Sequence, residues 1–267
     1  MKSEYVNGIE ICYSTYGSGE ALILVGGFGM TMPFWNLQVQ ALRDHFKVIV
    51  FDNRGSGKST IPPQPFTIAD MASDTISLMD RLDLESAHVF GVSMGGMIAQ
   101  ILCLDYPDRI NKAVLGCTSH GGPNALHPDR AAMSALAQAA SPELTPEEVA
   151  RILVPCLFSE RFVHENPKRI EAFIRLSVEN CLSVEGAAGQ MGALNSFNTE
   201  ERLEEIRMPV LVLTGNKDRM IPQENSRLLF EKIPGANLKR IQGAGHNFFY
   251  EKFEELNRIL KDFFLSK

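Results

Sequence analysis

A chain of 267 residues that is 45% hydrophobic can bury a sizeable core, which argues against disorder. Its net charge of -6 is scattered, with no basic stripe to neutralise phosphates or anionic lipid, so nucleic acid is not expected as a partner. No segment approaches the roughly 20 apolar residues of a membrane helix, and Met1 to Gly8 holds no signal-peptide run, so a soluble protein without a membrane partner is expected.

The chain opens on Asn7-Gly8 between β-rich stretches, Tyr5 to Val6 and Glu10 to Tyr16, which predicts a hairpin. Short aliphatic runs then alternate with helical periodicity. Ala21 to Gly26 reads as a strand, Pro33 to Asp44 as a helix, Lys47 to Asp52 as a strand, and Ile68 to Leu82 as a helix capped by Thr67 and Asp70. Ala87 to Val92, Met94 to Tyr106 and Ile110 to Cys117 continue as strand, helix and strand. Such alternation predicts an α/β fold on a mostly parallel sheet with flanking helices. Between His120 and Leu203 the strand signals stop. Helix starts recur there, at the capping box Thr145-Pro146-Glu147-Glu148 and at Asn166-Pro167. The stretch is too long for a structureless loop, so residues 120–203 read as an inserted helical cap within a core of 1–119 and 204–267. Pro209 to Thr214, Gln223 to Ile233, Asn237 to Ile241 and a last helix from Asn247 to Leu265 complete the core.

Gly91-Val92-Ser93-Met94-Gly95 matches G-x-S-x-G between an apolar strand and a helix, the layout of a nucleophile elbow. Side chains at Gly91 and Gly95 would collide with backbone in so sharp a turn. A serine hydroxyl needs a base, and the base an orienting acid. His246, in the glycine-bracketed loop Gly243-Ala244-Gly245-His246 after the last strand, is the candidate base; the other histidines have ordinary places, such as His88 at the start of a strand. Asp218, in Gly215-Asn216-Lys217-Asp218 after another strand, is the candidate acid, and the order Ser93, Asp218, His246 fits. Backbone N–H groups of Met94 and of Phe28, in Gly26-Gly27-Phe28-Gly29, are the expected oxyanion donors. Cys12, Cys103, Cys117, Cys156 and Cys181 show no metal or redox spacing and read as reduced thiols in the cytoplasm; no metal or organic cofactor is implied.

Together Gly-Val-Ser-Met-Gly-Gly, the Gly-Asn-Lys-Asp turn and the Gly-Ala-Gly-His loop resemble the α/β-hydrolase superfamily over nearly the whole chain. Asp52-Asn53-Arg54-Gly55-Ser56-Gly57-Lys58-Ser59 resembles the D-x-R-G-x-G-x-S loop that such proteins carry after their fourth strand. The nearest look is to small esterases and lactonases, namely 3-oxoadipate enol-lactonase-like proteins and polyketide methyl esterases. Many relatives have His-Gly where this chain has Gly26-Gly27. The 52–60 segment superficially resembles a P-loop, but Asp52 stands where glycine is required and Ile61-Pro62-Pro63 follows in place of a helix.

The resemblance implies a serine hydrolase acting on an ester or lactone of a small, moderately apolar molecule. Carbon–carbon hydrolysis, thioester hydrolysis and perhydrolysis share the same three residues, and a slow ligand receptor shares the fold. Trp35, Phe158, Phe162 and Met191 are the apolar residues expected to line the pocket. Sequence leaves the oligomeric state open.

Overall fold

The computed structural model describes residues 1–266. Position 267, the end of the expected core segment, lies outside them. β1 (Lys2–Val6) and β2 (Ile9–Tyr16) form the N-terminal hairpin, turned by Asn7 and Gly8 at φ 48° and 80°. Six strands follow: β3 (Ala21–Val25), β4 (Lys47–Phe51), β5 (Ala87–Val92), β6 (Ile110–Gly116), β7 (Val210–Gly215) and β8 (Asn237–Ile241). They form one sheet in the order β1-β2-β4-β3-β5-β6-β7-β8, antiparallel through the first three strands and parallel beyond.

The central strands β3, β4, β5 and β7 are nearly continuous apolar runs because both faces of the sheet are covered there. Ile23, Val25, Val89 and Val212 enter one layer; Leu22, Leu24, Phe90, Val92 and Leu213 enter the other. Helices α1 (Asn36–Leu42), α2 (Ile68–Arg81) and α3 (Met94–Asp105) fall between the early strands. The expected Pro33 to Asp44 helix is shorter and begins as a 3-10 turn, Met32–Trp35. The cause is local: Asp52 Oδ1 takes the Met32 N–H at 2.8 Å, and Phe34 N–H reaches Thr31 O at 3.1 Å.

Between β6 and β7 the chain contributes α4 (Arg130–Ala139), α5 (Pro146–Leu157), α6 (Glu160–Glu165), α7 (Pro167–Glu179) and α8 (Val184–Asn195). The box of Thr145 and Glu148 starts α5, whereas Asn166 leaves α7 uncapped and donates instead to Phe162 O at 3.2 Å. After β7 comes α9 (Gln223–Lys232). The last predicted helix is two, α10 (Phe248–Glu251) and α11 (Phe253–Leu265), because Glu251 is drawn inward to bind two loops and Lys252 leaves helical geometry at φ -118°, ψ 40°. None of the helices among the described residues is long and apolar enough to cross a membrane.

His88, at the start of β5, is buried against Phe46 and Phe264, and neither ring nitrogen makes a hydrogen bond; Glu20 approaches Nε2 only to 3.5 Å. Burial holds its basicity below the usual histidine value, against the pull of Glu20. The unfolded chain takes up this proton near pH 6.5 and the folded chain only at lower pH, so stability falls as pH drops through that window. The melting temperature of His88→Leu is therefore expected to fall less than that of the wild type between pH 7 and pH 5. Parallel curves would remove His88 as a cause of acid sensitivity.

Candidate active site

The order of the strands reverses at β3, which pairs with β4 on one side and β5 on the other, and ligands of open α/β sheets bind in the crevice outside such a point. Ser93 stands there, alone between β5 and α3, at φ 54° and ψ -121°. A side chain held in that region costs about 1–3 kcal/mol, so neighbours must impose it. They do: Ser93 N–H donates to Gly116 O, and Thr118 Oγ1 donates to Ser93 O, both at 2.8 Å. A Cβ at Gly91 would lie 2.0 Å from Gly95 O, and one at Gly95 2.1 Å from Val25 O, so both positions exclude any side chain.

Asp218 follows β7, its Oδ1 accepting the Met220 and Ile221 N–H groups at 2.9 Å each. Its Oδ2 faces His246 Nδ1 at 2.9 Å, and the two side chains are 0% and 8% exposed. A carboxylate can only accept, so Nδ1 carries a proton toward Asp218 and Nε2 is the ring nitrogen left to exchange one. Glu251 fixes the histidine loop: Oε2 accepts Gly245 N–H at 3.0 Å and Ser159 N–H at 3.2 Å, while Asn247 N–H reaches Leu157 O at 2.8 Å. The loop is thereby tied to the end of α5 and to Ser159, the cap of α6.

Around Cys117 these pieces converge. Its sulfur lies within 4.8 Å of the ligating atoms of both Asp218 and His246. Burial, then the Asp218 charge, pushes the thiol well above its ordinary value, against the nearby Ser93 N–H. Cys117 is thus a neutral thiol at neutral pH and no rival nucleophile. The structure pairs Asp218 with His246 and sets Ser93 at the same strand ends, with no hydrogen bond from Ser93 Oγ to the imidazole among the described residues. Such bonds commonly tighten only with substrate.

The expected oxyanion donors both sit at this edge. Met94 begins α3, and Phe28 lies in the loop after β3, next to Gly27, where an added Cβ would come 3.1 Å from Ser93 Cβ. Neither N–H donates to another group among the described residues.

The expected pocket residues are placed differently. Trp35 is 0% exposed and packs edge-on against Phe90 (5.4 Å) and at a tilt against Phe249 (5.7 Å), inside the layer under α1. Phe158 stacks on Phe162 at 5.4 Å and meets Phe173 and Tyr250, making the core of the inserted helices. Helix and sheet packing took these aromatic residues, so they offer a substrate little or no surface. Met191 stands 45% exposed on α8. Sequence reasoning did not find Gln190, Glu251, Asn53 or Thr118. A buried polar residue has no periodic signal of its own, and only Asn53 lay within a recognised motif.

Comparison with known proteins agrees with this architecture. A family model described as alpha/beta hydrolase fold matches residues 20–253. The chain is 33% identical, over 98% of each sequence, to a Caulobacter sp. (strain K31) protein provisionally named carbamate hydrolase RutD. It is 28% identical to 3-oxoadipate enol-lactonase 2 of Acinetobacter baylyi, covering 95% of this chain and 92% of that one. The crystal structure of the enol-lactonase from Burkholderia xenovorans LB400 superposes with a TM-score of 0.87 at 26% identity, covering 99% of this chain and 100% of that chain.

Proposed function

The chain belongs to the alpha/beta hydrolase fold family, and from that premise we propose that it is a serine hydrolase cleaving a carboxylic ester or lactone through an acyl-enzyme. The carrying observation is Ser93 in its enforced turn at the strand ends where Asp218 already orients His246. In this reading His246 Nε2 takes the proton of Ser93 Oγ as that oxygen attacks the acyl carbon. Asp218 steadies the resulting imidazolium. The Phe28 and Met94 N–H groups receive the developing oxyanion, a pair in which each donor is worth about 10²- to 10³-fold in turnover. His246 then protonates the departing alkoxide, which for a lactone stays tethered as the free end of the acyl chain. Water repeats the sequence on the acyl-enzyme and releases the acid.

Phe28 and Met191 adjoin in sequence the contacting pair Gly29 and Gln190, and both keep exposed apolar surface, which supports a moderately apolar substrate. Residues 1–119 and 204–267 act as the catalytic core in this proposal, with 120–203 as its cap. All five cysteines are free, which suits a cytoplasmic site of action. The 33% identical relative's name favours one second reading, a carbamate substrate, whose carbonyl Ser93 would attack in the same way while His246 protonates the departing group.

Covalent labelling by a fluorophosphonate, together with hydrolysis of a panel of short p-nitrophenyl esters, lactones, thioesters and carbamates, tests the proposal. Labelling of Ser93 and turnover of esters or lactones are expected. Folded protein that is neither labelled nor active on any member would overturn the serine-hydrolase reading; turnover of carbamates alone would replace the substrate class.

A further inference from the structure

Gly26 and Gly27 have no side chains with which to brace the loop that carries Phe28, so the bracing must come from elsewhere. Asn53 Nδ2 donates to Gly26 O at 3.0 Å, and Met30 Sδ receives the Gly27 N–H at 3.2 Å. The third brace comes from the far side of the crevice. Gln190 of α8 is 0% exposed, and its Oε1 accepts the Gly29 N–H at 2.9 Å while its Nε2 donates to Arg54 O at 3.0 Å. One amide of the helical insertion thus spans two loops of the sheet. The helix sits close enough for this because Gly186 lies against Gly55, where a Cβ would come 2.1 Å from the carbonyl oxygen.

Gly27 to Met30 is a turn closed by Met30 N–H to Gly27 O at 3.1 Å, with Gly29 at φ 66° in the position a type II turn gives to glycine. In a trans peptide the N–H and C=O point opposite ways. With Gly27 O facing Met30, the Phe28 N–H must point out of the turn. The next N–H along the turn, that of Gly29, is the group Gln190 holds, which anchors the turn to the insertion at a point beside Phe28.

We infer that Gln190 is a positioning residue for the oxyanion hole: by binding Gly29 N–H it fixes the turn that aims Phe28 N–H, so that seating α8 and completing the hole are one event. The inference rests on the serine-hydrolase reading for its catalytic consequence, but the hold on the turn is separately measurable.

Gln190→Met keeps the length of the side chain and removes both hydrogen bonds. Its kcat is expected to fall about 10- to 100-fold with KM changed less than about twofold, because the lost alignment acts on the transition state. Affinity for a boronic acid, which forms a tetrahedral adduct, should weaken by the same factor. Gly192→Ala, on the same helix with open space around it, serves as the control and should match the wild type. Amide hydrogen exchange over residues 27–31 should quicken in Gln190→Met. Unchanged exchange there overturns the inference whatever the assays give. Wild-type kcat in Gln190→Met also overturns it, and with active wild type the serine-hydrolase reading then still stands. Inactive, unlabelled wild type sinks that reading instead, while exchange still decides the role of Gln190.

Discussion

Ser93→Ala is expected to lower kcat by about 10⁴- to 10⁶-fold on whichever ester or lactone the wild type hydrolyses, because the attacking atom is gone while the rest of the site remains. Its melting temperature should stay close to that of the wild type, since only one partly exposed oxygen is removed from the turn. Ser93→Gly separates chemistry from strain. Glycine accepts φ 54° without the steric cost a Cβ carries there, so this variant should be equally inactive yet more stable than wild type by about 1 kcal/mol. Chemical denaturation of the three proteins beside their turnover is the measurement. A Ser93→Ala enzyme retaining even a tenth of wild-type kcat would end the assignment of the nucleophile.

That strain explains why this part of the protein was so legible. A turn made by one residue needs glycine on both sides, and the collisions at Gly91 and Gly95 leave the sequence no other choice; the motif is a steric requirement written in residue types. Strand runs were legible for a similar reason, since β3 and β5 must fill fixed layers and their bounds match the apolar pattern to within a residue. Where the outcome depended on contacts distant in sequence, reading failed. The single helix expected from Asn247 to Leu265 has no breaker inside it, and it divides because Glu251 is claimed by Gly245 and Ser159. Trp35 looked as suitable for a pocket as for a core. Its fate was decided by Phe90 and Phe249, one on β5 and one on α10.

The largest loss of stability is expected from a residue of the loop that resembled a P-loop. Arg54 Nε and Nη2 each bond an oxygen of Asp74 at 2.6 Å, and the two residues are 8% and 2% exposed. Arg54 also lies 5.5 Å from the centre of the Phe66 ring. Removing one partner of a buried pair leaves the other charged in a dry place, at a cost of about 3–5 kcal/mol, which is the expected loss for Arg54→Met. The loss should depend on pH, with a definite sign. Burial already pushes the Asp74 carboxyl above its usual value, and the Arg54 guanidinium is the main group holding it down. Without Arg54 the carboxyl rises further, so the folded variant takes up a proton at a pH where the unfolded chain is still ionised. In that window folding binds the proton, and the deficit shrinks as pH falls through the new value toward the ordinary carboxylate range. Denaturation at pH 8 and pH 5 should therefore show a smaller gap between wild type and Arg54→Met at the lower pH. A gap that stays constant or widens would mean that the carboxylate has found another cation or water, and that the Arg54 side chain is held in place for its contact with Phe66 instead.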